Sequence, residues 1–237
     1  MAEVAAIILA AGRATRWRES GGREPTKLVA LWRGKPLARA AAEAALASRA
    51  RPVTVVTGHE SDAVRAALAG LDLRFVENAA YAEGLSTSLR AGLAAVPAAC
   101  AGALILLGDM PAVSAALMDA LIAGLEARPE ALAVAPRGPA GLGNPVLLAR
   151  ALFDQAAALG GDKGARSLVE AAGARRIEIA WAGEEAAFDV DTADADPGDD
   201  PDSGPSDTSD TSDATEPGDT DATDTAVILY TSGTTGR

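Results

Sequence analysis

Residues Val4–Leu28 read V-A-A-I-I-L-A-A-G-R-A-T-R-W-R-E-S-G-G-R-E-P-T-K-L, and this stretch decides how the rest of the chain is interpreted. It opens with about eight β-prone apolar residues, which predict a buried strand, and Gly12 ends the run too early for a helix. Arg13, Arg16 and Lys27 follow. A buried strand that leads into a glycine loop with cations is typical of α/β proteins that hold a polyphosphate, because glycine lets backbone N–H groups approach the anion.

The same loop has a second interpretation, as an ordinary surface connection between a strand and a helix that happens to carry arginines. Its sequence is neither G-x-G-x-x-G nor a Walker A motif, so it predicts neither a Rossmann cofactor nor an ATPase. Taken alone, the stretch supports the polyphosphate loop and the surface connection about equally.

The formal net charge of −12 is concentrated in one part of the chain. Residues 194–224 contain twelve Asp or Glu and no Lys or Arg, whereas residues 1–193 contain 21 acidic and 20 basic residues. The acidity therefore describes a tail and not the substrate of the preceding domain. The basic residues are scattered and aromatic residues are few, so nothing indicates nucleic-acid binding.

Cysteine and histidine each occur once, as Cys100 and His59. This excludes a disulfide framework, a zinc site built from cysteines and a metal site built from several histidines. We interpret Cys100 as an inert small side chain rather than a nucleophile, and for His59 we favour a polar residue at a strand end over a catalytic role. The N-terminus carries no basic segment and its apolar run is too short to span a bilayer, so we expect a cytoplasmic protein without a membrane segment.

Short β-rich runs alternate with alanine-rich stretches from residue 4 to about residue 190. We predict strands over residues 4–9, 53–57, 73–77, 103–107, 131–135, 145–148 and 175–180. We predict helices over residues 36–48, 61–69, 86–96, 114–127, 149–159 and 164–172. This alternation, with nearly continuous apolar strands, indicates an α/β fold whose mostly parallel sheet is covered by helices on both faces. Ligands of such sheets bind outside the carboxyl ends of the strands.

Two acidic segments are predicted at those carboxyl ends. L-G-D-M-P follows the fourth strand and contains Asp109, and F-D-V-D-T near residue 190 contains Asp189 and Asp191. An Asp at a strand end often caps the next helix, but Pro111 and Ser114 could start that helix without Asp109. Carboxylates from distant segments beside a cationic glycine loop indicate Mg²⁺ and a nucleoside triphosphate, because Mg²⁺ prefers one or two carboxylates together with phosphate oxygens.

Several motifs, taken together, resemble those of the molybdopterin nucleotidyltransferases, a MobA-like NTP transferase family, and especially their molybdenum cofactor cytidylyltransferase branch. They occur in the family's order across residues 4–192: L-A-A-G-R-A-T-R with a later T-K-L, V-V-T-G-H, A-E-G-L-S-T-S-L, L-G-D-M-P, G-N-P-V-L-L, G-D-K-G-A-R and D-V-D-T. The resemblance implies a three-layer α/β/α fold with a Rossmann-like sheet. It also implies transfer of a nucleotidyl group with release of pyrophosphate.

The resemblance also assigns roles to individual positions. It implies that Arg16 and Lys27 hold the triphosphate with catalytic Asp109, and that Asp109 and Asp191 bind Mg²⁺. The implied nucleotide-binding residues are Leu9, Ala10, Ala11, Gly12, Arg13, Gly84, Ser86 and Ser88. The implied acceptor-binding residues are Gly143, Asn144, Pro145, Asp162 and Arg166, with Gly161 and Gly164 beside them.

The identity of the nucleotide and of the acceptor also follows from the resemblance. L-A-A-G, rather than L-A-G-G, resembles the branch that uses CTP, and the acceptor would be of the molybdopterin type, with a molybdoenzyme or its chaperone as a protein partner. Many relatives have a compact R-M-G-x-x-K, whereas here W-R-E-S-G-G-R-E-P-T separates Arg16 from Lys27, which leaves the position of the lysine open. Trp17 in that insertion would either stack on a ligand or cover the loop's own apolar surface.

The domain organisation predicted from the sequence has three parts. Residues 1–193 form the nucleotidyltransferase domain and residues 194–224 form a disordered acidic linker. Residues 225–237 contain T-S-G-T-T-G-R and resemble a truncated phosphate loop of acyl-adenylate-forming enzymes. We interpret this last piece as a remnant, because about thirteen residues cannot build a nucleotide site.

Two functions remain open from the sequence. The first is a Mg²⁺-dependent nucleotidyltransferase that acts on molybdopterin. The second is a non-catalytic module that binds a nucleotide or cofactor and delivers it to a molybdenum hydroxylase. Both functions predict the same fold. They differ in that only the nucleotidyltransferase releases pyrophosphate.

Overall fold

The computed structural model describes residues 2–139, 141–183 and 186. Short 3₁₀ turns lie at Lys27–Val29, Tyr81–Glu83, Arg150–Leu152 and Gly173–Arg175. The strands are β1 (Val4–Ala10), β2 (Leu31–Trp32), β3 (Lys35–Pro36), β4 (Val53–Thr57), β5 (Arg74–Glu77), β6 (Gly102–Leu107), β7 (Ala133–Gly138), β8 (Gly141–Leu142), β9 (Val146–Ala149) and β10 (Arg176–Ala180). The helices are α1 (Thr15–Glu19), α2 (Leu37–Ala47), α3 (Ser61–Ala67), α4 (Leu85–Ala94), α5 (Ala115–Ala127), α6 (Phe153–Ala157) and α7 (Ala165–Ala171).

The central sheet has the strand order β10-β7-β9-β6-β1-β4-β5, with β8 paired to β7. β1 pairs in parallel with β4 and β6, β4 with β5, and β10 with β7. β9 is inserted between β6 and β7 and is antiparallel to both. The mostly parallel sheet predicted from the apolar runs is therefore confirmed.

Helices cover both faces of the sheet, so the fold has three layers. Ile8 faces one apolar core, which α2, α3 and α5 complete, and Ile7 faces a second core, which α4, α6 and α7 complete. Both isoleucines are fully buried, because successive side chains of a strand point to opposite faces and each face has its own helical layer. This explains why β1 is apolar at every position and confirms the three-layer α/β/α architecture.

Several elements differ from the sequence prediction. The helix predicted over residues 149–159 is a 3₁₀ turn followed by α6, because Ala149 still belongs to β9 and donates its N–H to the carbonyl of Leu132 at 2.8 Å. The strand predicted to end at residue 135 continues to Gly138, where it pairs with β8. The short helix α1 and the β2–β3 hairpin were not predicted.

Part of the sequence prediction lies outside the described residues. This holds for Asp189 and Asp191, the domain boundary at residue 193, the linker over residues 194–224 and the last segment over residues 225–237. In the part of the chain that the structure describes, every helix is too short or too polar to cross a membrane.

Candidate active site

The loops that carry the candidate residues meet at one edge of the sheet. In the parallel register Ala10 lies opposite Thr57, Leu9 opposite Leu107, and Thr57 opposite Glu77. The carboxyl ends of β1, β4, β5 and β6 are therefore aligned, and the loops that follow them lie side by side. β9 runs the other way and pairs its first residue, Val146, with Ile105, so the segment before β9 lies at the same edge.

Residues 11–14, which we name the Gly12 loop, connect β1 to α1. Gly12 is exposed, and a Cβ built on it would meet no atom within 4 Å. Ala14 adopts a left-handed conformation with φ of 51°, which turns the chain into α1. Arg13 and Arg16 are exposed on this turn. The loop therefore presents open backbone and cationic side chains at the edge of the sheet.

Lys27 forms an ion pair with Asp109 at this edge. The distance between Lys27 Nζ and Asp109 Oδ2 is 2.5 Å, and the two side chains are 15% and 16% exposed. Ser114 caps α5 by accepting a hydrogen bond from the N–H of Leu117 at 3.2 Å. Asp109 is therefore not needed as the cap, and its carboxylate faces a cation in the position where the sequence predicted catalytic residues.

The position of Lys27, which the insertion had left open, is fixed by its neighbour Leu28. Leu28 is buried in the core beneath α2, α3 and α5. A Cβ built on Gly108 would lie 3.2 Å from Leu28 Cδ2, so the leucine packs directly over the glycine that precedes Asp109. Packing of Leu28 on Gly108 thus places the lysine beside the carboxylate.

Trp17 covers the apolar surface of the insertion itself. Its side chain is 7% exposed and packs with Ala30 and Leu37. The N–H of Gly22 donates to the Trp17 carbonyl at 3.0 Å, and a Cβ on Gly22 would overlap the indole ring. Of the two interpretations of Trp17, the structure favours this packing role over stacking on a ligand.

Asn78 organises the segment between β5 and α4, a role that the sequence reasoning did not assign to it. Its buried side-chain amide donates to Thr87 Oγ1 at 2.8 Å and to Ser88 Oγ at 3.0 Å. Its side-chain oxygen Oδ1 accepts the N–H of Ala80 at 3.0 Å. The Thr87 hydroxyl donates in turn to the carbonyl of Gly84 at 2.8 Å. An Asn nine residues before a Thr-Ser pair was the available signal in the sequence.

Two of the predicted nucleotide-binding residues in this segment are buried. Ser88 lies in the Asn78 network and is 4% exposed, and Ser86 is 1% exposed. Ser86 Oγ has no hydrogen-bond partner among the described residues. Their proposed contact with the nucleotide stays a prediction.

Residues 161–164 on the predicted acceptor side touch the start of α4. The carbonyl of Gly161 accepts the N–H of Ser86 at 3.0 Å, and a Cβ on Gly84 would overlap the same carbonyl group. A Cβ on Gly164 would lie 2.7 Å from Leu85 Cδ2. The structure therefore brings the predicted nucleotide and acceptor segments together through close contacts at glycines.

The other predicted acceptor residues lie in two different places. Gly143 donates to the carbonyl of Pro136 at 2.9 Å, and Asn144 donates to the carbonyl of Ala186 at 2.8 Å, just before Pro145. Asp162 and Arg166 are exposed, and Arg166 pairs with Glu170 of its own helix at 3.2 Å. Gly143, Asn144 and Pro145 lie at the edge of the sheet beside β6, whereas Asp162 and Arg166 lie beside the start of α7.

Cys100 lies just before β6, at the opposite end of the strand from Asp109. Burial raises the pKa of its thiol, which disfavours the reactive thiolate. This agrees with its interpretation as an inert small side chain.

The described residues contain no cluster of three or more His, Cys, Asp or Glu side chains that could hold a metal ion. Asp109 supplies one carboxylate at the edge of the sheet, and its proposed metal partner Asp191 lies outside the described residues.

The chain is similar to known proteins in both sequence and fold. Residues 6–177 match the sequence model of the MobA-like NTP transferase domain. Over 121 residues the chain is 39% identical to the bifunctional protein GlmU of Anaeromyxobacter sp., an alignment that covers 47% of this chain and 23% of GlmU. The chain thus spans about a quarter of the length of that curated relative.

Solved structures with a similar fold include Rv0371c from Mycobacterium tuberculosis H37Rv, with 29% identity, a TM-score of 0.69 and coverage of 81% of this chain and 95% of the other. A complex of that protein with manganese has 28% identity, a TM-score of 0.61 and coverage of 77% and 89%. A nucleotidyl transferase from Methanothermobacter thermautotrophicus has 25% identity, a TM-score of 0.69 and coverage of 80% and 92%.

Proposed function

The chain belongs to the MobA-like NTP transferase domain family, and from this membership we propose a specific reaction for it. We propose that it is a Mg²⁺-dependent nucleotidyltransferase that moves CMP from CTP onto a phosphorylated acceptor, molybdopterin, and releases pyrophosphate. The observation that supports this most directly is the Lys27–Asp109 ion pair at the carboxyl edge of the sheet, where the Gly12 loop also lies.

The triphosphate would lie across the Gly12 loop. The exposed loop offers backbone N–H groups, and Arg16 and Lys27 offer positive charge for the phosphate oxygens. Leu9 and Ala10 at the end of β1, together with Ala11 and Arg13 of the loop, would contact the nucleoside end, with Gly84, Ser86 and Ser88 approaching the base. Lys27 Nζ lies beside Asp109 at the same edge of the sheet, so its ammonium would contact a phosphate that enters next to this carboxylate.

The residues at this edge fit a divalent metal ion. Asp109 offers hard carboxylate oxygen, and its close contact with the Lys27 ammonium indicates that a positive charge is stabilised at this position. Mg²⁺ takes one or two carboxylates and fills its other positions with phosphate oxygens and water, so Asp109 with Asp191 would be a sufficient protein contribution. When bound, Mg²⁺ would neutralise charge on the phosphates.

The reaction would be an in-line substitution at the α-phosphorus. A phosphate oxygen of the acceptor forms the new bond to the α-phosphorus, the bond to the bridging oxygen of the β-phosphate breaks, and pyrophosphate leaves. Arg16 and Lys27 would stabilise the negative charge that grows on the leaving pyrophosphate. The acceptor would be held by the segments of residues 143–145 and 161–166, which we propose place its phosphate beside the α-phosphate.

The choice of CTP and molybdopterin rests on the resemblance. L-A-A-G at residues 9–12 resembles the CTP-using branch, and the ordered motifs through D-V-D-T resemble enzymes that act on molybdopterin. A molybdoenzyme or its chaperone would then receive the product.

Incubation of the full chain with each of the four NTPs, Mg²⁺ and molybdopterin, with pyrophosphate as the readout, tests the proposal. We expect release of pyrophosphate that depends on both metal and acceptor and is fastest with CTP. Preference for another NTP would overturn the assignment of CTP but not the proposed nucleotidyl transfer. Tight nucleotide binding without pyrophosphate release would contradict catalysis and favour the delivery module.

Lys27→Met tests the assigned role of the lysine. Hydrogen bonds to charged groups contribute about 1.5–3 kcal/mol, so we expect kcat/KM for the NTP to fall by about 10- to 100-fold. The measurement is the initial rate of pyrophosphate release against NTP concentration, with the melting temperature as a check of folding. Lys35→Met is the matched control, because Lys35 lies in the β2–β3 hairpin, forms an ion pair with Glu43 of α2 at 2.8 Å and is 59% exposed. Equal kinetics for the two variants would contradict the role of Lys27.

A further inference from the structure

Arg18 and His59 form a contact pair that holds the Gly12 loop from one side. Arg18 Nη2 donates to the carbonyl oxygen of Arg13 at 2.8 Å and lies 2.8 Å from His59 Nε2. The backbone N–H of His59 donates to the carbonyl oxygen of Ala11 at 3.2 Å. The two carbonyl groups that flank Gly12 are thus both engaged by the same pair of residues.

The chemistry of the pair fixes the roles of its members. A guanidinium group donates hydrogen bonds and cannot accept them, so His59 Nε2 is the acceptor in this contact. The His59 ring is also placed by Tyr81, whose ring centroid lies 5.9 Å away. A Cβ on Gly58 would lie 2.8 Å from Tyr81 Cβ and 2.9 Å from Ala11 Cβ, so the three loops meet closely at this glycine.

The N–H groups of the Gly12 loop are left available. Those of Gly12, Arg13 and Ala14 donate to no acceptor among the residues that the structure describes. An anion-binding loop must present N–H groups and keep its carbonyl oxygens away from the anion, because the oxygens would repel it. Here the Ala11 and Arg13 carbonyl oxygens are occupied by hydrogen bonds from His59 and Arg18, whereas the N–H groups of the loop remain available for an anion.

We propose that Arg18 and His59 are positioning residues for the triphosphate, which hold the Gly12 loop in its anion-binding conformation before the nucleotide arrives. This inference rests on the proposed function. It also gives a role to the stretch between Arg16 and Lys27, because Arg18 belongs to it. A loop that is ordered in advance binds more tightly, since less conformational entropy is lost on binding.

The test compares Arg18→Met and His59→Leu with His59→Gln, whose side-chain oxygen restores an acceptor. Arg23→Met is the matched control, because Arg23 is an exposed arginine of the same insertion. Calorimetric titration with CTP and Mg²⁺ measures nucleotide binding. Hydrogen exchange of residues 11–14 without nucleotide measures the order of the loop.

We expect Arg18→Met and His59→Leu each to weaken CTP binding by about three- to tenfold. Exchange over residues 11–14 should be faster, and kcat at saturating CTP should change less than KM. The double variant should be no weaker than either single variant, because the two residues act as one unit. His59→Gln should recover most of the affinity, and Arg23→Met should match the wild type.

Wild-type affinity and wild-type loop exchange in Arg18→Met would overturn the inference. A large loss of affinity in Arg23→Met would also overturn it, since general loss of positive charge would then explain the effect. Failure of the wild-type chain to bind any NTP would contradict the proposed function instead. The exchange comparison between the wild type and Arg18→Met still decides in that case whether the pair holds the loop, and unchanged exchange overturns the inference.

Discussion

Asp109→Asn should lower the rate of pyrophosphate release by about 10²–10³-fold, because one electrostatic stabiliser of the transition state is lost. The substitution keeps the shape of the side chain but removes the charge that would bind Mg²⁺ and that faces Lys27 Nζ at 2.5 Å. Initial rates at several Mg²⁺ concentrations measure the effect. We expect the concentration of Mg²⁺ that gives half the maximal rate to rise as well.

Asp119→Asn is the matched control for this variant. Asp119 is a half-exposed carboxylate on α5 that accepts a hydrogen bond from the N–H of Arg49 at 2.8 Å and has no place at the carboxyl edge of the sheet. Its activity should equal that of the wild type. A catalytic rate for Asp109→Asn within a factor of about three of the control would contradict the role of Asp109, since the expected loss is ~10²-fold or more.

Gly84→Ala should destabilise the fold by about 3 kcal/mol or more, through backbone strain and overlap acting together. Gly84 has φ of 114°, which side-chain-bearing residues rarely adopt. A Cβ there would also overlap the carbonyl carbon and oxygen of Gly161, so the segments of residues 84–86 and 161–164 would have to separate. Urea denaturation measures the free energy of unfolding, and exchange of the Ser86 amide reports loss of its bond to Gly161.

Gly160→Ala is the control for that experiment. A Cβ on Gly160 would meet no atom within 4 Å, although the residue adjoins the same contact. It should leave the free energy of unfolding within about 0.5 kcal/mol of the wild type. Equal stability of Gly84→Ala and Gly160→Ala would show that the two segments do not need this close approach.

The sheet could be predicted because its strands are buried on both faces. β1 is apolar at every position, and each of its side chains enters one of the two cores, so the run of apolar residues alone indicated a covered parallel strand. The rule that ligands bind at the carboxyl ends of such strands then predicted that the Gly12 loop and Asp109 belong to one ligand-binding edge of the sheet.

The contacts that complete the site depend on packing that no sequence pattern reveals. Nothing in the sequence shows that Leu28 packs over Gly108 and so places Lys27 beside Asp109. The pairing of Arg18 with His59 joins residues 41 positions apart, and its signal is one arginine among several. The antiparallel direction of β9 was equally hidden, because an apolar run of four residues carries no information about strand direction.

The anchoring of Lys27 by Leu28 has a consequence for protein engineering. Because Leu28 is buried directly after Lys27 and Trp17 packs at the other end of the insertion, we expect a change in the length of the exposed chain at Arg23 and Pro25 to leave Lys27 beside Asp109. A fluorescent reporter peptide inserted between Arg23 and Glu24 should for the same reason leave pyrophosphate release unchanged.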